Sequence, residues 1–171
     1  ISTMELNNAA EKMIRDAGAI PTFIGYHGFP YAICASVNDE IVHGFSKTTP
    51  LVEGDIVSLD MAATFNGFVG DCAMTCPVGE ITDELKQLIR VTEECLELGI
   101  QAARVDNRVG DIGWAVQQHA EKYGYGIVRD YTGHGIGRAM HEAPQIANYG
   151  LQRTKERIRA EYCFAIEPML N

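Results

Sequence analysis

The chain has no apolar run long enough to cross a bilayer, no CxxC cysteine pair and a shortage of basic residues. Each shortage excludes something. Without about 20 consecutive apolar residues there is no membrane-spanning helix. Lys and Arg total 14 against 23 Asp and Glu, a formal charge of −9. That balance argues against sequence-independent nucleic-acid binding, which needs a basic surface to displace counterions. The cysteines, Cys34, Cys72, Cys76, Cys95 and Cys163, are odd in number, the usage of a reducing, cytoplasmic compartment. Cys72 and Cys76 invite a zinc reading, but strand alternation puts both on the face opposite Asp71, where they are expected as buried small hydrophobes. No succession of charged, apolar and small residues marks a signal peptide. With no initiator Met before Ile1, the numbering is expected to start inside a longer natural protein. What remains is ordinary for a globular chain, 46% hydrophobic over 171 residues, enough for one domain with a real core.

Ser2-Thr3-Met4-Glu5 is a capping box that predicts a helix to about Ala17, with Leu6, Ala9, Ala10, Met13 and Ile14 on one face and Gly18 as its stop. Residues 31–37 and 41–43 read as strands around a tip at Asn38-Asp39-Glu40. Thr82 caps a longer helix with an apolar stripe of Leu85, Leu88, Ile89, Leu96 and Ile100, and a second helix is predicted over residues 111–122 before Gly124. Met74 and Trp114 are expected in the core. Residues 125–131 and 162–167 read as strands, and residues 151–160, with Arg153, Lys155, Arg157 and Arg159, as a solvated connection. A helix, a glycine and a strand-like stretch lead twice to a glycine-flanked histidine, at His27 and His134, a weak sign of internal duplication.

Residues 55–76 carry the strongest geometric signal. Residues 55–65 have strand composition, Asn66-Gly67 is a two-residue type I′ turn, and residues 68–76 run back. That turn pairs Phe65 with Phe68 and sets Asp71 opposite Ala62. Strand side chains repeat with period two, so Asp60 and Asp71 project from one face as diagonal neighbours about 7 Å apart at the backbone. For this pair alone the bland reading, two surface acids on a wet sheet face, is favoured. Two like charges so close raise each other's pKa unless a cation neutralises them, however. Further donors follow at His134, where the freedom of Gly133, Gly135 and Gly137 brings the imidazole close to a neighbour, and at Glu167, which ends an apolar strand. Together three carboxylates and an imidazole form a hard, oxygen-rich set suited to Mn, Fe, Co or Zn. A bridging carboxylate such as Asp71 can hold two ions about 3.5–4 Å apart, the spacing of two-metal hydrolases. Histidines outside the ligand set can hydrogen-bond a peptide and its developing oxyanion. No Ser-His-Asp or Cys-His arrangement and no GxGxxG fingerprint competes.

Tyr26-His-Gly-Phe-Pro30, Cys34-Ala-Ser-Val-Asn-Asp-Glu-Ile-Val-His-Gly44, Gly54-Asp-Ile-Val-Ser-Leu-Asp60, Asn66-Gly-Phe-Val-Gly-Asp71, Gly133-His-Gly-Ile-Gly-Arg138, His141-Glu-Ala-Pro144 and Ile166-Glu-Pro-Met169 resemble, in order and over essentially the whole chain, type I methionine aminopeptidase. The resemblance implies an α+β pita-bread fold, two pseudo-symmetric halves of antiparallel sheet with helices on one face, in a single catalytic domain over residues 1–171. It implies removal of the initiator methionine from nascent proteins with a small second residue, by attack of metal-activated water, with two divalent ions (Co, Mn, Fe or Zn). By the same resemblance Asp60 and Asp71 bind one ion, Asp71 bridges to the second, and His134 and Glu167 are ligands of the second, Glu167 doubling as general base and acid. His43 contacts the scissile amide nitrogen and His141 the carbonyl oxygen. Tyr26, His27, Phe29, Cys34 and Met140 fall on the methionine pocket, a chemically sensible lining for a thioether. The implied partner is the N-terminal peptide of a nascent chain, at or near the ribosome, met in the cytoplasm by a monomer with no tie to membrane or nucleic acid.

Two departures carry expectations of their own. The family has a further bridging glutamate on a strand beyond Glu-Pro-Met, and the chain stops at Asn171 without it. The C-terminal strands are therefore expected to be missing and the site one carboxylate short. Ala160-Glu161-Tyr162 stands where the family has Gly-Met, which demands a different local turn. The alternatives are an Xaa-Pro peptidase of the same fold, against which His43 and Cys34 argue, and an impaired truncated or peptide-binding form.

Overall fold

A computed structural model describes all of residues 1–171, and these divide into two compact units, residues 1–85 with 137–140, and residues 86–136 with 141–171.

The first unit opens on α1 (Thr3–Asp16), whose capping box forms as expected: the Ser2 hydroxyl accepts the Glu5 amide, and Glu5 returns to the Ser2 N–H at 2.8 Å. Its buried face is not the predicted apolar stripe. Thr3 and Asn7 are buried while Met13 is 72% exposed, because Asn7 turns inward to accept the Ala32 and Ile33 amides at 2.8 and 3.4 Å. Four antiparallel strands follow, β1 (Ile20–Pro21), β2 (Ile33–Val37), β3 (Ile56–Phe65) and β4 (Phe68–Pro77). β3 is central, with β1 and β2 along one edge and β4 along the other. The hairpin register is the predicted one, Phe65 opposite Phe68 and Ala62 opposite Asp71, with Asn66 and Gly67 at φ of 50° and 80° as a type I′ turn requires.

Residues 41–43 are not a strand, since His43 sits at φ 58° and breaks the extension. The backbone instead leans on β2 at Gly44, whose N–H donates to the Ser36 hydroxyl (3.0 Å) and whose carbonyl accepts the Ala35 amide (2.9 Å). A Cβ at Gly44 would lie 2.4 Å from the Ala35 carbonyl oxygen, so only glycine permits this approach. β4 is an outer strand, and α1 packs on β1 and β2 instead. Cys72 is therefore exposed, Cys76 half-buried and Met74 58% exposed, where the alternation pattern predicts core. Residues 137–140 complete this unit: the Gly137 carbonyl accepts the Val69 amide at 2.8 Å, and Met140 is buried with Phe23, Cys34 and Ala62.

The second unit contains most of α2 (Asp83–Ala102), then α3 (Val109–Lys122), β5 (Gly133–Gly135), β6 (Glu142–Ile146) and β7 (Phe164–Ala165), with β5 central between its antiparallel partners. The line α2 buries is Val91, Cys95 and Gly99, and Ile100 of the predicted stripe is half exposed. Gly99 is where Ile166, Val116 and Ile112 crowd in, at 3.2, 3.4 and 3.5 Å from the place a Cβ would take. α3 buries Ile112, Val116 and Ala120 and leaves Trp114 outside, contrary to its expected place in the core. Residues 125–131 pair only through a bridge between Ile127 and Leu170, and the strand expected over 162–167 shortens to β7, since each finds only a brief partner. Residues 151–160 are more than a solvated connection: Val109 and Gly110 donate to the Glu156 and Thr154 carbonyls at 3.0 and 3.1 Å, and Ile158 is buried. No helix is long and apolar enough to cross a membrane.

Candidate active site

In the first unit the register sets the chemistry. Cys34 lies opposite Asp60 and Ala62 opposite Asp71, so these four side chains share one face of the sheet. On that face Phe23, Cys34, Ala62 and Met140 form a buried cluster, with Phe29 and Val69 packed against it. An apolar patch bearing two sulfurs thus borders the two aspartates. Burial, and then the charges of Asp60 and Asp71, push the Cys34 thiol up to about 12, so it stays neutral and acts as a small hydrophobe. Phe23 is absent from the predicted pocket, its only sequence signal being an apolar side chain just upstream of the Tyr26 motif. Tyr26 and His27 occupy a single 3₁₀ turn, Tyr26–Gly28, their rings edge to face at 4.4 Å. His27 and His43 hold φ of 49° and 58°. A left-handed backbone costs an L-residue roughly 1–2 kcal/mol, a strain that persists where the surroundings fix it and that clusters at functional sites.

In the second unit His134 stands between glycines for a reason other than conformational freedom, since neither Gly133 nor Gly135 has a positive φ. A Cβ on Gly133 would meet the Ala165 carbonyl oxygen at 2.2 Å, and one on Gly135 the Ala143 oxygen at 2.3 Å. The glycines let β7 and β6 close on β5. His134 Nδ1 lies 2.9 Å from the Gly135 carbonyl oxygen, which can only accept, so Nδ1 carries the hydrogen in that bond. Nε2 lies 3.3 Å from Glu167 Oε1. An imidazole held through one nitrogen by a backbone carbonyl has its ring orientation fixed and its other nitrogen directed at one partner. The His141 ring is 4.2 Å from that of His134. Asn148, fully buried, donates Nδ2 to the Glu167 carbonyl at 2.6 Å and fixes its backbone. Nothing in the sequence singles Asn148 out.

Each unit therefore holds part of the predicted set: in the first, Asp60, Asp71, Cys34, Phe29 and Met140 gather about one sheet face while Tyr26, His27 and His43 lie on turns of the same unit, and in the second His134 neighbours His141 and Glu167. Within neither unit do three or more His, Cys, Asp or Glu side chains form a complete cage for an ion. The two carboxylates on one sheet face and the imidazole beside a carboxylate are donors of the type a divalent cation takes. Two clefts of about 380 and 430 Å³ in the second unit are lined by none of the predicted residues. Glu161, where the family resemblance expects glycine, holds φ 70°, so the turn keeps a glycine conformation with a glutamate in it.

Residues 1–171 match the model of metallopeptidase family M24. Methionine aminopeptidase 1 of Bacillus subtilis (strain 168) is 47% identical over 171 residues, all of this chain and 69% of that protein. The crystal structure of methionine aminopeptidase from Rickettsia prowazekii is matched with a TM-score of 0.99 at 41% identity, over 100% of this chain and 69% of that one. The prolidase from Pyrococcus horikoshii OT3, at 20% identity and a TM-score of 0.81 over 98% of this chain and 46% of its own, shares the fold alone. The α+β pita-bread architecture is the one expected. With the family model matched from the first residue to the last, and close relatives covered over more than two thirds of their length, the chain belongs to metallopeptidase family M24.

Proposed function

We propose that this chain is a metal-dependent aminopeptidase that removes the initiator methionine from nascent proteins whose second residue is small. The observation that carries this reading is the sharing of one sheet face by Asp60, Asp71 and the sulfur-bearing patch of Cys34 and Met140. A flexible thioether is suited to that patch, and Tyr26, His27 and Phe29 complete the pocket. Asp60 and Asp71 would hold one divalent ion, and His134 and Glu167 a second. Such an ion supplies the Lewis acidity that polarises an amide carbonyl and makes hydroxide available near neutral pH. Glu167 takes the proton of the attacking water and returns it to the leaving amine, with its backbone held by Asn148 for that work. His43 hydrogen-bonds the scissile nitrogen and His141 the carbonyl oxygen as charge develops there. Five free cysteines suit the reducing cytoplasm, where the chain, as a monomeric catalytic domain over residues 1–171, meets peptides leaving the ribosome.

The test is release of free methionine from Met-Ala-Ser, with Co, Mn, Fe or Zn supplied one at a time. Release is expected with at least one ion, to be abolished by a chelator, and to be at least about tenfold slower from Met-Lys-Ser. Cleavage of an Xaa-Pro dipeptide with Met-Ala-Ser untouched makes the chain an Xaa-Pro peptidase instead. Peptide binding with no turnover under any ion makes it a binding form.

A further inference from the structure

Two rings outside the predicted pocket continue it outward. Phe45 lies 5.2 Å from Phe29 and 5.7 Å from Tyr31, centroid to centroid, and Phe29 lies 5.8 Å from Tyr31. The interplanar angles are 84°, 79° and 81°, so all three contacts are edge to face, the favoured arrangement for aromatic pairs. Phe29 in turn meets Phe23 of the buried cluster at 6.3 Å. The triangle is thus anchored in the core at one corner and open at another, where Phe45 is 55% exposed. Its backbone is pinned: Gly44 is bonded to Ala35 and Ser36, and His43 is locked at φ 58°. A large apolar ring that is exposed yet held by two neighbours loses little freedom when a ligand covers it.

We propose that Phe29, Tyr31 and Phe45 form an aromatic platform that reads the third side chain of the substrate and favours an aromatic or large aliphatic residue there. This rests on the aminopeptidase reading, in which His43 meets the scissile nitrogen, the amide of the substrate's second residue. Phe45 follows His43 by two residues, so their Cα atoms are at most about 7 Å apart. An extended peptide advances about 3.3 Å per residue, so one that runs from His43 along residues 43–45 brings its third residue to Phe45. The second residue is small and leaves the ring uncovered. An acidic third residue gains nothing from three rings, whereas an aromatic or large aliphatic one buries apolar area against them.

The closing experiment compares Met-Ala-Phe-Ser with Met-Ala-Asp-Ser. The metal-loaded protein is expected to prefer the first by about fivefold or more in kcat/KM, chiefly through KM. Phe45→Ala should compress that ratio to below about twofold and Tyr31→Ala should reduce it in part; damage that is merely structural would lower both rates alike and leave the ratio standing. Release without preference, or a preference that survives Phe45→Ala, overturns the platform. No release from either peptide overturns the aminopeptidase reading instead. The platform is then decided by the Phe45 ring resonances, identified by their loss in Phe45→Ala: a shift with Met-Ala-Phe-Ser but not Met-Ala-Asp-Ser supports it, and no shift overturns it.

Discussion

Glu161 occupies a left-handed backbone position that an ordinary glutamate does not favour. The conformation costs roughly 1–2 kcal/mol, while glycine's wider freedom in the unfolded chain offsets roughly 0.4–1 kcal/mol of the relief. Glu161→Gly should therefore stabilise the protein by about 0.5–1 kcal/mol, seen as a higher urea midpoint with an unchanged slope; a lower midpoint would show that the glutamate side chain is worth more than its backbone costs. Such positions are hard to read in a sequence. Arg153 and Lys155 also have positive φ, and neither is a residue type that announces it. The glycines around His134 mislead in the opposite sense, since they suggest freedom and serve close approach. The roles of His43 and His141 came from family resemblance, because neither shows a spacing that implies chemistry by itself.

Among the elements, the β3–β4 hairpin was the most legible, because a two-residue Asn-Gly turn leaves a single register and that register decides which face each aspartate takes. Gly67→Ala puts a Cβ at φ 80° and should cost about 1 kcal/mol. If the turn sets the register, the loss should come with weaker Mn binding; a destabilised protein with unchanged Mn affinity would separate the turn from the aspartates. Period alone names two faces and does not say which one is covered. That is why Cys72, Met74, Met13 and Trp114 read as core and lie outside. In α1 a polar residue, Asn7, took the buried place by supplying an acceptor to two amides, which hydrophobicity does not register. In residues 125–131 strand composition was present and a long partner was not.

At the scale of the whole molecule, part of the −9 charge is carboxylate assigned to ion binding, so occupancy should feed directly into stability. Mn at about a hundred times its dissociation constant should stabilise the folded chain by about 2.7 kcal/mol, a rise of roughly 5–10 °C in Tm for a chain of this size. Asp71→Asn should shrink that rise; an unchanged rise in the variant would remove Asp71 from the ligand set. The order of folding follows from another feature. The buried cluster of Phe23, Cys34 and Ala62 is closed by Met140, and the Val69 amide finds its acceptor at Gly137. During synthesis, at about 5–20 residues per second, the first sheet is made several seconds before the segment that finishes it. The sheet is thus made well before the segment that seals it, and for that interval its apolar face must be shielded by whatever attends the nascent chain.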